Sequence, residues 1–203
     1  MFTGIVEALG VVLSVVEDGR NLHLTVSSSI SKDLKIDQSL AHNGVCLTVV
    51  NVENNQHTVT AIHETMQLTN LGDLIPGHKI NLERCMKLSD RLDGHIVQGH
   101  VDTVAECVSI KEEQGSWRFK FLFDLKYASL ILSKGSICVN GTSLTSIDPT
   151  DSTFEVAIIP YTYDNTTFKD LNVGDTVNLE FDIVGKYLER RLSLGLMHSE
   201  ILP

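Results

Sequence analysis

Apolar and polar residues alternate with period two along most of the chain, and short polar turns interrupt the alternation. Residues 10–16 and 22–26 flank the charged turn 17–21 and read as a β-hairpin. Residues 47–52 and 57–62 flank the turn 53–56 in the same way, and residues 79–83 alternate as a half-buried strand should. The second half repeats this order with strands predicted over 107–110, 117–121, 154–159 and 176–180. Short helices are predicted over 31–34 and 125–132, near the middle of each half. About six short strands per half, joined by tight turns, predict an all-β fold of two small closed barrels.

The repeated order is a duplication. Asn43-Gly44-Val45-Cys46-Leu47-Thr48 returns 97 residues later as Asn140-Gly141-Thr142-Ser143-Leu144-Thr145. Sliding residues 39–83 onto 136–180 without a gap gives 15 identities in 45 positions, among them Ser39/Ser136, Thr65/Thr162, Gly77/Gly174 and Asn81-Leu82-Glu83/Asn178-Leu179-Glu180. The starts of the halves match with a one-residue change of offset, which sets Gly4-Ile5-Val6 against His100-Val101-Asp102. Two similar barrels imply two similar pockets, suited to two similar ligands.

The chain ends differently. After Asp182, the residues Ile183, Val184, Tyr187, Leu188, Leu192, Leu194 and Met197 fall at helical spacing among Lys186, Glu189, Arg190 and Arg191. A lone amphipathic helix needs something to pack on. Subunit association is the favoured use, ahead of packing on the second barrel. The join between the halves, 84–94, is charged and lacks the Pro/Ser content of a flexible linker, so the halves are expected to sit closely together. This divides the chain into a first barrel (1–96), a second barrel (97–182) and a terminal helix (183–203).

Composition excludes several function classes. The net charge of −10, with basic residues scattered, disfavours nucleic acid and anionic membrane as partners. No run of 18 apolar residues exists, and the first residues lack the features of a signal peptide. Cys46, Cys85, Cys107 and Cys138 have no paired-ligand spacing. Neither a disulfide framework nor a metal site is expected, and a reducing cytoplasm is the simplest location.

No phosphate-binding loop, nucleophile elbow or dinucleotide fingerprint is present. What remains is polar chemistry around the two Asn-Gly turns. Each turn is followed by a small polar residue (Cys46 or Ser143) and, two positions on and so on the same strand face, by a threonine (Thr48 or Thr145). The pattern is open to two readings, a plain turn followed by strand formers or a polar edge for a flat heterocycle. The halves differ where Cys46 meets Ser143, Gly4 meets His100 and Glu64 meets Tyr161. Such differences suggest that one copy catalyses while the other mainly binds. His95 and His100 open the second half, and either could carry a proton near neutral pH.

Residues 1–7 (MFTGIVE), 43–49 (NGVCLTV), 64–72 (ETMQLTNLG) and 94–100 (GHIVQGH) together resemble the riboflavin synthase alpha-chain family over essentially the whole chain. The resemblance implies two tandem six-stranded Greek-key barrels and a C-terminal helix assembled as a homotrimer. It implies a transferase that converts two 6,7-dimethyl-8-ribityllumazines into riboflavin and 5-amino-6-ribitylaminouracil, with no cofactor and no metal. Association with lumazine synthase is a further implied partner.

Carried over by motif, the first pocket is expected to use Gly4, Ile5, Val6, Ser39, Cys46, Leu47, Thr48, Ile62, His63, Glu64 and Thr65. The second is expected to use Gly99, His100, Val101, Lys134, Ser143, Leu144, Thr145, Ile159, Pro160, Tyr161 and Thr162. Phe2, at a mobile N-terminus, is expected to cover the reacting rings. His100, Cys46 and Ser39 are the expected catalytic residues: His100 as the base for the acidic 7-methyl group, the other two to polarise or orient the second lumazine. Two rival readings are a non-catalytic lumazine protein and a flavin-binding barrel of the reductase type. The retention of Ser39, Cys46 and His100 favours the enzyme over the first, and the lack of room for a nicotinamide-binding domain counts against the second.

Overall fold

The computed structural model describes residues 1–199. The first half builds a closed barrel from β1 (Ala8–Asp18), β2 (Asn21–Ser27), β3 (Ser39–His42), β4 (Val45–Glu53), β5 (Gln56–Ala61) and β6 (Lys79–Arg84), in the order β1-β2-β5-β4-β3-β6. The second half repeats this with β7 (Thr103–Glu112), β8 (Trp117–Leu122), β9 (Ser136–Val139), β10 (Thr142–Thr145), β11 (Thr153–Ile158) and β12 (Thr176–Phe181). Its closure is looser: no ladder joins β10 to β11, and only the isolated Ile147–Glu155 bridge, past the end of β10, pairs with β11. Asp148 takes a positive φ of 44° and Pro149 has no N–H to give, so the ladder that β4 and β5 sustain cannot form here.

Short helices α1 (His63–Leu68) and α2 (Pro160–Asn165) follow β5 and β11. The strand periodicity of the flanking residues gave no sign of them; Pro160 at the first helical position suits α2 because its missing N–H has no intrahelical acceptor. The segments predicted as helices over 31–34 and 125–132 are 3₁₀ helices, one turn at Ser31–Asp33 and two at Leu125–Leu130.

Inward-facing positions fill each barrel with a different core. Barrel one is aliphatic, with Leu24, Leu40, Val49, Val59, Ile80 and Leu82 fully or almost fully buried. Barrel two is aromatic, with Phe119, Phe121, Phe154, Phe168 and Phe181 packed together. Barrel one also buries two histidines. His42 and His57 stand where barrel two carries Val139 and Phe154, and they join one hydrogen-bonded chain. Leu40 O can only accept, so His42 Nδ1–H donates to it at 3.2 Å. His57 Nε2–H must then donate to His42 Nε2 at 2.9 Å, and Ser31 donates to His57 Nδ1 at 2.8 Å. Every buried nitrogen is satisfied by neutral rings.

The Asn-Gly turns hold the barrels together. Asn43 (φ 45°) and Gly44 (φ 81°) form the β3–β4 hairpin, and Asn140 and Gly141 do the same between β9 and β10. The turns meet back to back: a Cβ on Gly44 would lie 2.8 Å from Gly141 N. Around them, Asn81 Nδ2 donates to Asn140 O at 2.8 Å and Asn178 Nδ2 donates to Asn43 O at 2.9 Å. Each asparagine of the turn also accepts from its own barrel, Asn43 Oδ1 from Asn81 N and Asn140 Oδ1 from Asn178 N. The repeated asparagines are therefore an inter-barrel clasp, which explains why both copies keep them.

The terminal helix α3 (Ile183–Ser199) is anchored at its start. Lys186 Nζ pairs with Asp102 Oδ2 at 2.6 Å, and Ser129 hydrogen-bonds Glu189. Along the helix Val184, Tyr187, Leu188 and Leu192 are exposed, Tyr187 at 73% and Leu192 at 68%, so this part of the apolar stripe is uncovered in the single chain. Residues 200–203 of the predicted helical segment lie outside the described residues. No helix among the described residues is long and apolar enough to cross a membrane.

Candidate active site

Two matched polar surfaces, the candidate ligand pockets, lie on the outer faces of the barrels. Ser39, Cys46 and Thr48 alternate with the core residues Leu40 and Leu47 on the paired strands β3 and β4, so all three face outward. Ser143 and Thr145 do the same on β10, while Leu144 packs inward on the aromatic core. Lys134 stands beside the second set with a positive φ of 65°, and its N–H donates to Ser146 O at 2.9 Å. Ile62, His63 and Glu64 are exposed at the start of α1, and Ile159, Pro160 and Tyr161 at the start of α2. Thr65 and Thr162 follow, half-buried, in the same two helices.

The segments that complete these pockets are exchanged between the halves. Cys46 N donates to Gly99 O at 2.9 Å, and Ser143 N donates to Gly4 O at 2.7 Å. A Cβ on Gly99 would lie 2.6 Å from Cys46 Cβ, and one on Gly4 would lie 2.6 Å from Ser143 Cβ. Only glycine permits this approach, and both residues hold positive φ (81° and 76°). The structure therefore brings Gly99, His100 and Val101 to Ser39, Cys46 and Thr48, and Gly4, Ile5 and Val6 to Ser143 and Thr145. Val101 packs on the core of barrel one. This reverses the assignment of the two segments expected from sequence order, in which each stayed with its own barrel.

Buried glutamates fix both straps. Glu83 accepts from Thr3 N (2.7 Å), Thr3 Oγ1 (2.7 Å) and Gly4 N (3.0 Å). Glu180 accepts from Gln98 N (2.6 Å), Gly99 N (2.9 Å) and His100 N (2.9 Å). Burial pushes both carboxyls above the ordinary carboxylate range, and the backbone donors offset this only in part. The parallel contacts match Thr3 with Gln98 and Gly4 with Gly99, so the offset at the straps is 95 (99 − 4). Ile5, not Gly4, is consequently the counterpart of His100.

Phe2 is no lid in this structure. It is fully buried among Ala41, Val97, Cys138, Cys46 and Cys85. Phe2 N donates to Val97 O at 2.7 Å and Val97 N donates back to Phe2 O at 3.1 Å, so the two straps pair with each other under the pockets. The expectation of a mobile phenylalanine failed because a 0% exposed ring with paired backbone has nowhere to swing.

The reactive groups differ between the pockets. Burial pushes the Cys46 thiol above its ordinary range, only partly offset by a hydrogen bond with Ser39, so Cys46 is a thiol at neutral pH and a poor nucleophile. His100 is exposed at the bend of its strap. His95 is the residue whose place the sequence did not reveal. It is 8% exposed, its N–H donates to Thr3 O at 3.1 Å, and its Nδ1 lies 2.6 Å from Ser143 Oγ. Burial lowers its pKa and the Asp182 carboxylate acts in the opposite sense. The GHIVQGH motif had flagged the residue without showing which hydroxyl it meets.

Comparison with known proteins bears on these pockets. The family model for the lumazine binding domain matches twice, over residues 3–85 and 98–182. Riboflavin synthase of Bacillus subtilis is 40% identical over 193 residues, covering 95% of this chain and 90% of its own. That of Schizosaccharomyces pombe is 43% identical over 197 residues, covering 94% and 93%. The solved structure of LumP complexed with riboflavin superposes with a TM-score of 0.84 at 22% identity, covering 89% of this chain and 99% of that one, and shares the fold. With two matched lumazine-binding domains and such relatives along nearly its whole length, the chain belongs to the riboflavin synthase family of lumazine-binding double-barrel proteins.

Proposed function

We propose that this chain is a riboflavin synthase, which moves a four-carbon unit between two molecules of 6,7-dimethyl-8-ribityllumazine to give riboflavin and 5-amino-6-ribitylaminouracil. The observation that carries this reading is the duplicated outward-facing pocket, each copy completed by a strap from the other half, in a chain 40% identical to a riboflavin synthase over 95% of its length. Two identical substrates suit two matched pockets with different reactive groups.

In this reading one lumazine lies on Ser39, Cys46 and Thr48, with Leu47 offering only its backbone because its side chain is in the core, between residues 62–65 and the strap Gly99, His100 and Val101. The other lies on Ser143 and Thr145, with Leu144 offering only its backbone because its side chain packs inward, between Lys134, residues 159–162 and the strap Gly4, Ile5 and Val6. The 7-methyl group of lumazine is acidic because its carbanion delocalises into the pteridine, and His100 is the base that takes its proton. Ser39 and Cys46 orient the ring by hydrogen bonding; the protonated thiol argues against a covalent role. Holding two rings at reacting distance supplies much of the acceleration, since proximity and orientation lower a barrier by ~7–11 kcal/mol. The chain requires no cofactor or metal in this scheme.

The uncovered stripe of α3 supports a homotrimer built around that helix, which lets a pocket of one subunit face a pocket of the next. The same reading divides the chain at 1–96, 97–182 and 183–203, places it in the cytoplasm and admits association with lumazine synthase. A non-catalytic lumazine carrier is the second reading, favoured by the fold likeness to LumP complexed with 6,7-dimethyl-8-(1'-D-ribityl) lumazine, at a TM-score of 0.81. Incubating the protein with the lumazine as sole reactant and following riboflavin absorbance separates them. The enzyme accumulates one riboflavin per two lumazines consumed; the carrier binds and accumulates none.

A further inference from the structure

Matched turns beside the two pockets carry opposite charges. Residues 35–38 turn into β3, closed by Gln38 N–H donating to Lys35 O at 3.2 Å. Residues 132–135 turn into β9, closed by Gly135 N–H donating to Leu132 O at 2.9 Å. The third position of each turn is left-handed, Asp37 at φ 69° and Lys134 at φ 65°. Asp37 N donates to Val49 O and Lys134 N to Ser146 O, each at 2.9 Å, so the two residues are counterparts at the offset of 97 (134 − 37). Each acceptor directly follows the threonine of its pocket, Thr48 or Thr145. Glycine is the residue that such a turn position favours. Both copies carry an exposed charged side chain there instead, and the sign is reversed. A second matched pair adds to the difference: Glu64 on α1 stands where α2 carries Tyr161, both exposed. Lys35 opposes it from the far end of the first turn, and the Asp182 carboxylate, which acts on His95, opposes it at the second pocket.

We infer that the reversal at Asp37 and Lys134 makes the two pockets an electrostatic filter: the second admits a ribityl ligand phosphorylated at its terminal hydroxyl, and Asp37 with Glu64 bars that ligand from the first. A phosphate monoester carries a charge of about −1.5 to −2 at neutral pH. Carried on the ribityl chain of a ring seated at Thr48 or Thr145, it lies within the range of the neighbouring turn charge, which salt screens over about 10 Å at 0.1 M. The ribityl chains of lumazine and riboflavin are uncharged, so the filter leaves substrate and product alone and separates them from their phosphate esters. The inference rests on the two-pocket reading above. It adds a ligand class with a consequence for turnover: the reaction needs lumazine in both pockets, so a phosphorylated flavin seated in one of them stops it.

The test titrates flavin mononucleotide and riboflavin into wild type, Asp37→Lys, Lys134→Asp and Lys134→Gln, following Trp117 fluorescence and the number bound per chain. Trp117 stacks on Tyr163 of α2 and so responds to the second pocket. Both charge swaps suit the backbone, because each side chain already occupies the same left-handed turn in the other half. Wild type is expected to bind two riboflavins but one flavin mononucleotide, with a Trp117 response. Asp37→Lys should open a second flavin mononucleotide site, about tenfold tighter than the same site in wild type. Lys134→Asp should weaken flavin mononucleotide about tenfold relative to riboflavin, and Lys134→Gln about threefold. The affinity ratio of the two flavins cancels general damage to a pocket, and the differences should fade at 1 M salt. Two flavin mononucleotides per wild-type chain, or none, overturns the inference. So does an affinity ratio that Asp37→Lys leaves unchanged, or one indifferent to salt. A wild type that fails to bind two riboflavins overturns the two-pocket reading instead, and the inference falls with it.

Discussion

Cys46 takes its backbone acceptor from Gly99, a residue 53 positions away that opens the second half of the chain (99 − 46). Its counterpart Ser143 takes the same acceptor from Gly4, at the start of the first half. Each pocket is thus assembled from both halves of the duplication, and neither barrel owns a complete one. The clasp of Asn43, Asn81, Asn140 and Asn178 fixes the barrels in the one orientation that lets the straps cross.

Substitution of the strap glycines is expected to be costly and pocket-selective. Gly99→Ala places a Cβ 2.6 Å from Cys46 Cβ at a φ of +81°, combining overpacking with backbone strain. A loss of roughly 2–4 kcal/mol in urea denaturation is expected. Gly19→Ala, with φ +62° and nothing within 4 Å, carries strain alone and should cost only about 1 kcal/mol.

Phe2→Ala should destabilise the protein by about 3–5 kcal/mol, as removal of a fully buried aromatic ring does. It should also loosen both pockets, because Phe2 lies where the straps pair. A variant with an unchanged denaturation midpoint and only a raised KM would restore the lid role that the structure removes.

The His42–His57 chain predicts acid sensitivity confined to barrel one. Burial lowers His42 to about 3 and His57 to about 4, both from 6.5. In the unfolded chain both protonate near 6.5, so the unfolded state binds more protons between pH 6.5 and about 4. Stability is therefore full above pH 6.5 and is lost as pH falls through that window, with a slope approaching roughly 3 kcal/mol per pH unit. Denaturation midpoints measured from pH 8 to 4 check the slope. Replacing the pair by the residues of barrel two, His42→Val with His57→Phe, should flatten it.

Cys46 should alkylate slowly at neutral pH. Its thiol is raised above the ordinary range and half-buried, so iodoacetamide at pH 7 should modify it more slowly than free glutathione. Peptide mass spectrometry after timed quenching reads the rate. Reaction faster than glutathione would indicate a thiolate and reopen a covalent role.

Much of this was legible in the chain. The period-two runs located most of the strands, the repeated Asn-Gly hexapeptide exposed the duplication, and the helical spacing after Asp182 marked α3. The missed features all depend on contacts remote in sequence. Gly4 and Gly99 look alike in either barrel, and only the clasp geometry decides that they cross. Glu83 and Glu180 were visible as a repeat, but their carboxylates act on amides about 80 residues away. Short β3 and β9 lack the length to show a period, and α1 and α2, at six residues each, are held by tertiary packing rather than by pattern. His95 carried no signal beyond its motif, since its meaning lies in a hydroxyl 48 residues on.

The central claim is two crossed, non-equivalent lumazine pockets, and titration of bound 6,7-dimethyl-8-ribityllumazine per chain, with Trp117 fluorescence recorded alongside, tests it most directly. Trp117, the one tryptophan of the chain, stacks on Tyr163 of α2 at 3.8 Å and so reports the second pocket. Wild type should bind two lumazines per chain, Gly4→Ala should lose the site that perturbs Trp117, and Gly99→Ala should lose the other. Loss of the Trp117 response in Gly99→Ala with its retention in Gly4→Ala would contradict the crossed assignment.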